Sequence, residues 1–464
     1  MFHKKADAES VSLSFVQRAQ PLRDALQRHG QMTPQQTASR RWAIGCVSLE
    51  VTQRCNLDCT LCYLSEHSEA VHDLPLEEIF RRIDAIAQQY GPRTDIQISG
   101  GDPTLRDHAQ LQQIVAYIRE KDMRSSLFTN GILASRELLK RLRDAGLSDV
   151  AFHVDMTQQR QGYADERSLN TLRLAYIERA RGLGLSVFFN TTIYTENLSD
   201  VSMLAAFFAL HSDVVQLVSF QIQAETGRGV LGSHSGALTQ QGMMQRIQEG
   251  VGTPLNWDAL QGGHTLCNRY SVAMVLPQAK GGWRAHDLFF DGAFIAQVMR
   301  ETAHVIMPRG KPLRSAWIWT RAVLAQPVLA MQGFSWLARL IRRLGSDVWR
   351  LPRARKISFF IHNFMDAKAL DQERLDCCVF MAAGPEGLLP MCQFNAQRDA
   401  HLLKAIQLKD GSVWQPLLGR TDPEQSTQHT VRADSQGLVS YPIKYLKGRS
   451  RVHAMSERRK RASS

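Results

Sequence analysis

The sequence lacks any apolar run long enough to cross a bilayer. Its longest uncharged stretch lies between Arg321 and Arg339 but contains Gln326, Pro327, Gln332 and Gly333, short of the ~20 apolar residues a spanning helix needs. The opening residues Met1-Phe2-His3-Lys4-Lys5-Ala6-Asp7 carry charge and no secretory core, so a cytoplasmic protein is expected. Cysteine is sparse, with 8 in 464 residues, which excludes a disulfide scaffold; 44% hydrophobic and 22% charged residues exclude collagen-like and disordered classes. Acid is nearly missing from two segments. Residues 309–356 hold eleven basic side chains and one acid, Asp347, and residues 444–461 hold eight and one, Glu457, against a whole-chain balance of +12. Such segments suit an anionic partner: a membrane surface, nucleic acid or an acidic redox protein.

What is present is a rhythm. After a polar, Gln-rich start with a helix expected near Val16 to His29, short β-branched runs alternate with amphipathic stretches from Cys46 to Gln223. Six strands are expected: Cys46–Thr52, Asp95–Ser99, Ser125–Thr129, Asp149–Asp155, Ser186–Thr192 and Val214–Gln223. Helical crossovers such as Pro75–Gln89, with Glu77 and Glu78 in the first turn, make these repeated βα units, whose functional loops lie at the strands' C-terminal ends. The fold class is α/β, a partial (β/α)6 TIM-like barrel with a cysteine-bearing C-terminal extension. The expected divisions are a helical segment 1–40, the barrel 41–230, a partly amphipathic helical region 231–356, a cysteine region 357–420 and a polar, then basic, tail 421–464. A Gly/Ser/His link at 232–236 marks the barrel's end, and Ser315 to Arg343 reads as one or two amphipathic helices broken at Pro327.

Directly after the first strand stands Cys55-x3-Cys59-x2-Cys62. Three thiolates this close can wrap one metal centre. A structural zinc wants a fourth ligand, commonly from a second nearby pair, and none follows at that spacing. A [4Fe–4S] cluster held by three cysteines leaves one iron open to a ligand. This loop resembles the signature of the radical S-adenosylmethionine (SAM) superfamily, although Leu61 stands where an aromatic residue is frequent. The resemblance implies SAM chelated at the open iron, and its reductive cleavage to a 5′-deoxyadenosyl radical that abstracts hydrogen from an unactivated carbon. It also implies SAM contacts. Gly100-Gly101-Asp102-Pro103 is similar to the family's Gly-Gly-Glu-Pro motif, with Asp102 expected on the methionine amine. Thr129 and Asn130, Asp155 and Asn190 occupy further strand ends that line SAM in relatives. On the sixth strand, Gln221, Gln223 and then Glu225 are substrate candidates. Taken alone, these are also ordinary turns and a polar barrel layer. No acid or base is nominated for catalysis.

Of the other cysteines, Cys46 reads as a small buried hydrophobe. Cys267, Cys377, Cys378 and Cys392 gather late, the last two flanking a Gly384-Pro385-Glu386-Gly387 turn. They are read as ligands of a second [4Fe–4S] cluster, or else as reduced packed thiols. Asp371-x-Glu373-Arg374-x-x-Cys377-Cys378 and Pro390-x-Cys392-x-x-Asn395 resemble the branch containing tetraether-lipid synthases and a pterin methyltransferase. That resemblance implies C–C bond formation or methylation on a lipid or other apolar substrate. The chain departs from those relatives at Ser315 to Arg343, whose Trp-rich helices edged with Arg suit peripheral membrane contact or else a helical hairpin over the barrel's open side, and the basic surface equally suits a flavodoxin- or ferredoxin-type reductant. RNA or peptide modification is the alternative, and a non-catalytic iron–sulfur protein a third.

Overall fold

The computed structural model describes residues 15–31, 44–230, 238–278, 281–302, 305–306 and 312–421; the 232–236 link and the basic tail lie outside them. The six expected strands are there: β1 (Cys46–Thr52), β2 (Asp95–Gly100), β3 (Arg124–Thr129), β4 (Asp149–His153), β5 (Ser186–Ile193) and β6 (Val215–Ile222). Each neighbouring pair is parallel. Crossovers run through α2 (Leu76–Tyr90), α3 (His108–Glu120), α4 (Arg136–Ala145), α5 (Leu169–Ala180) and α6 (Val201–Leu210), after α1 (Phe15–Arg28).

The strand pattern explains the layering. Every residue of β1 is buried, yet its sequence alternates. Val47, Leu49 and Val51 join Ile79, Ile83 and Ile86 of α2 in the main core, while Ser48 turns the other way and bonds Ser99 of β2 at 2.6 Å. Val218, Phe220 and Ile222 of β6 likewise join that core, leaving Ser219, Gln221 and Gln223 on the barrel side. An apolar shell therefore encloses a polar lumen.

The barrel wall extends past six strands. β9 (Arg355–Asn363) pairs parallel to β6 and β10 (Phe380–Ala383) parallel to β1. The run β10-β1-β2-β3-β4-β5-β6-β9 is thus eight parallel strands, extended at one end by β11 (Leu388–Pro390) and at the other by β7 (Asn268–Pro277) and β8 (Trp283–Asp287). The segment read as an extension supplies two staves of the wall. Its ends meet through side chains, with the Phe380 ring 4.2 Å from His362 and 5.9 Å from Phe360. Outside this seam, Leu26 of α1 packs with Cys377 and Val379.

Beyond the barrel, α7 (Gln240–Val251) packs on α6, and α8 (Gly292–Glu301), α9 (Pro312–Leu324) and α10 (Pro327–Leu344) gather at the β7–β8 edge. The break at Pro327 falls where expected, at the first turn of α10.

Candidate active site at the strand ends

The cysteine loop is held in place by backbone rather than by its thiols. On one side Val230 N–H donates to Thr60 O at 2.7 Å, Gly229 N–H to Cys62 O at 3.1 Å and Arg228 N–H to Leu64 O at 2.8 Å, a short ladder onto the segment after β6. That approach requires Gly227, at φ +52°, because a Cβ there would lie 2.3 Å from the Tyr63 backbone. On a second side Thr60 N–H donates to Thr157 O at 2.8 Å. Below, Tyr63 OH donates to Gly100 O at 2.6 Å. The guanidinium of Arg398 lies 4.7 Å from the Tyr63 ring centre while gripping both Glu50 oxygens at 2.8 and 2.9 Å.

Within this frame Cys55, Cys59 and Cys62 are half-buried. Burial, then the charges of Cys62, Asp155 and Cys55, push the Cys59 thiol well above the ordinary range. Thiols that oppose one another's ionisation deprotonate readily only beside a cation. Among the described residues no group of three His, Cys, Asp or Glu converges on one point as a single ion requires. A cubane asks for a different geometry, each thiolate on its own iron, so the donor set fits a cluster.

The second strand end differs from its expectation. Asp102 is fully buried. Its carboxylate accepts from Thr104 N–H at 3.0 Å, Asn130 N–H at 2.8 Å and the Thr129 hydroxyl at 2.8 Å. Asp102 is a buckle between the loops after β2 and β3, and its lone pairs are taken up inside the protein rather than held out to an ammonium group. Gly100 O is likewise used by Tyr63. Gly101 runs so close to the cysteine loop that a Cβ would sit 2.0 Å from Arg54 O. Gly101→Ala is therefore expected to pry the two loops apart, costing about 1–3 kcal/mol as overpacking does and lowering cluster retention; urea unfolding and iron content read both.

Asn130 turns its amide toward the site, donating to Asn56 Oδ1 at 2.6 Å with Cys55 Sγ 4.0 Å away. Asp155 is fully buried, accepting from Thr157 N–H at 3.0 Å, Thr192 N–H at 2.7 Å and the His153 ring at 2.6 Å. Burial works against its charge, but His153 and these donors win and hold the carboxyl down to about 2. Desolvation likewise opposes an imidazolium at His153, and Asp155 outweighs it, raising the ring's pKa. Asn190 is buried one step before this group, and Gln221 lies in register beside Thr192 on one side and His362 on the other. Glu225 N–H donates to Asp366 Oδ1, which fastens the loop after β6 to the loop after β9.

One support escaped the sequence reading. Arg173 and Glu166, both fully buried, form an ion pair beneath Asp155. Glu166 also accepts from Met156 N–H at 3.0 Å and Asn197 Nδ2 at 2.9 Å. Arg173 donates to Val154 O at 2.9 Å. His362, buried on the barrel side of β9, has no hydrogen-bond partner at Nε2 among the described residues, and burial pushes its pKa down to about 3. An Arg spaced seven residues after a Glu gave no signal, because the two meet only once β4 and α5 have folded.

The late cysteines divide. Cys377 is buried against Leu26 and Val379 under α1, which sets its side chain among apolar groups. Arg374 Nε donates to Cys267 Sγ at 3.3 Å, Met365 N–H to Cys392 Sγ at 3.5 Å, and Cys378 Sγ to Phe380 O at 3.0 Å. Burial, then the Cys392 charge, pushes Cys378 up to about 12, and burial, with Cys267 adding to it, pushes Cys392 up to about 11. The turn between Cys378 and Cys392 does form a hairpin, β10–β11, with Met381 opposite Pro390, and the Cys392 charge is felt at Cys378.

Residues 49–208 match the family model described as "Radical SAM superfamily". Over 181 residues the chain is 32% identical to the Fe-coproporphyrin III synthase of Methanosarcina barkeri, covering 39% of this chain and 44% of that protein. Over 187 residues it is 29% identical to the 7,8-dihydro-6-hydroxymethylpterin dimethyltransferase of Methanocaldococcus jannaschii, covering 39% and 37%. These matches span less than half the length of either relative. A solved structure of native anSMEcpe with bound AdoMet and a Cp18Cys peptide is 16% identical, with a TM-score of 0.34 over 44% of this chain and 59% of that one. The part of this chain that matches the radical SAM superfamily, residues 49–208, is the part that carries the parallel strands β1 to β5 and the cysteine loop at the C-terminal end of β1.

Proposed function

We propose that the protein is a radical SAM enzyme that functionalises an unactivated C–H bond, with C–C bond formation or methylation as the outcome. The observation that carries this is the cysteine loop, clamped by backbone on two sides and by the Tyr63 hydroxyl on a third, with Cys55 beside Asn130 at the strand ends. A [4Fe–4S] cluster with SAM supplies, when bound, one-electron cleavage to a 5′-deoxyadenosyl radical. The chain's own part is to position and exclude water. Asp102 fixes the loops after β2 and β3, Asp155 and His153 fix those after β4 and β5, and the apolar shell keeps the lumen dry.

Thr192, Gln221, Gln223 and His153 line the strand ends with hydrogen-bonding groups. They support a polar substrate, such as a peptide or RNA segment or a ring compound of the kind the two named relatives' names describe, better than an acyl chain. Cys267, Cys378 and Cys392 would hold a second cluster, with Cys377 serving the seam, and an acidic flavodoxin- or ferredoxin-type protein would supply electrons.

The test is anaerobic reconstitution with iron counting, followed by reduction with SAM and peptide, RNA or lipid extracts. About eight irons per chain are expected, falling to about four in Cys378→Ser, with 5′-deoxyadenosine release stimulated by one polar extract. About four irons in both proteins would remove the second cluster. Reduced protein that never releases 5′-deoxyadenosine would remove the enzyme.

A further inference from the structure

We infer that α9, α10 and the 3₁₀ turn at Gly345–Arg353 form a docking face for an anionic lipid bilayer. α10 carries apolar residues around most of its circumference. One stripe, Leu329, Trp336, Leu340 and Leu344, packs onto α8 and β7. A second stripe points away from the core, with Met331 69% and Phe334 64% exposed, and Trp317 of α9 at 68% and Trp349 at 87% are exposed as well. A helix that is apolar around most of its surface belongs against something, and exposed large apolar side chains gathered on neighbouring elements mark an interaction surface. Among the described residues only one side of α10 is covered.

Charge selects the partner. Arg314 and Arg321 of α9, Arg342 of α10 and Arg353 of the following turn lie on the same elements as the exposed stripe and make no ion pair among the described residues. The single acid between 309 and 356, Asp347, is buried and held by Arg284, His286 and Arg350. A second copy of the chain would bring the same uncompensated arginines against these, so self-association is opposed. An anionic bilayer offers what both sets of side chains lack, phosphate oxygens for the guanidinium groups and acyl chains for Trp317, Met331 and Phe334. No helix among the described residues is long and apolar enough to cross a membrane. The fit is therefore to the interface, with the helices lying along it.

The face sits at the β7–β8 edge, apart from the cysteine loop that follows β1, and the inference stands without the enzymatic reading. The test uses the full chain in sedimentation with vesicles of phosphatidylcholine alone or with phosphatidylglycerol added. Wild type is expected to pellet with the anionic vesicles only. Arg314→Gln/Arg321→Gln/Arg342→Gln should weaken this on the order of a hundredfold, from about fivefold per arginine, and Trp317→Ser/Met331→Ser/Phe334→Ser should weaken it comparably. Both triple variants should keep the wild-type rate of SAM cleavage. Wild type that ignores anionic vesicles, or variants that bind them as well as wild type does, would overturn the proposal. So would a wild-type dimer that the apolar variant disperses while vesicle binding is unchanged. Vesicle binding without SAM cleavage would remove the enzyme and leave the docking face.

Discussion

Cys59→Ala is expected to release 5′-deoxyadenosine from SAM only at background, with the iron of the first loop lost and the far-ultraviolet circular dichroism unchanged. Loss of activity and retention of fold are both consequences of how the loop is built. Cys59 is the thiol whose ionisation is opposed by burial and by Cys62, Asp155 and Cys55 together, so its proton leaves when iron arrives. Alanine removes one of three ligands, and two thiolates would not retain a cluster that three cysteines hold. The loop itself hangs on backbone hydrogen bonds to Arg228, Gly229, Val230 and Thr157, none of which involves sulfur. Cys59→Ala that is folded but still cleaves SAM would defeat the assignment of this loop; anaerobic turnover with quantified iron separates the cases.

The largest expected effect on stability lies away from the thiols. Arg173→Met should destabilise the protein by about 3–5 kcal/mol, the usual result of removing one partner from a buried ion pair. Glu166 would then be a fully buried carboxylate, already pushed upward by burial before Arg173 pulls it back. It would keep only the donors Met156 N–H and Asn197 Nδ2. Those two lie on the loops after β4 and β5, next to Asp155 and just past Thr192 at the end of β5, so SAM affinity should fall with stability. Urea unfolding of Arg173→Met alone and of Arg173→Met/Glu166→Gln provides the check. The double variant should recover part of the loss, because it removes the stranded charge, and a single variant as stable as wild type would show that the pair is dispensable.

The core strands were readable because each is a short β-branched run set between amphipathic helices. Cys46–Thr52 is found at the expected bounds, and the other five within two residues. β9 and β10 were not readable as part of the same wall. Ile357–His362 has the composition of a strand, but nothing local says that it lies beside β6, more than a hundred residues earlier, with α7 to α10 between. Parallel pairing at that distance is a tertiary fact. The cysteine loop was legible down to its residues, since spacing is itself the chemistry. Asp102 was legible as important but not in its task. Its type suited a ligand, and only the folded chain shows that Thr104, Thr129 and Asn130 satisfy it first. Gly101 is the reverse case, a residue whose motif was visible and whose reason, the passage of Arg54 O at 2.0 Å from its missing Cβ, was not.

The order of strands around the wall also bears on how the chain is made. β1 and β6, which border the first six-stranded sheet, receive their outer partners β10 and β9 only from residues 355–383. During synthesis the β6 edge therefore stays bare until about 140 residues after β6 have followed, and the β1 edge until about 160 have. At ribosomal speeds of about 5–20 residues per second that is roughly 10–30 s. Unpaired edges invite strands from other nascent chains. The seam between Phe380 and His362 thus marks the moment at which this protein ceases to be a hazard to its neighbours, and the interval before it is where a chaperone would be needed.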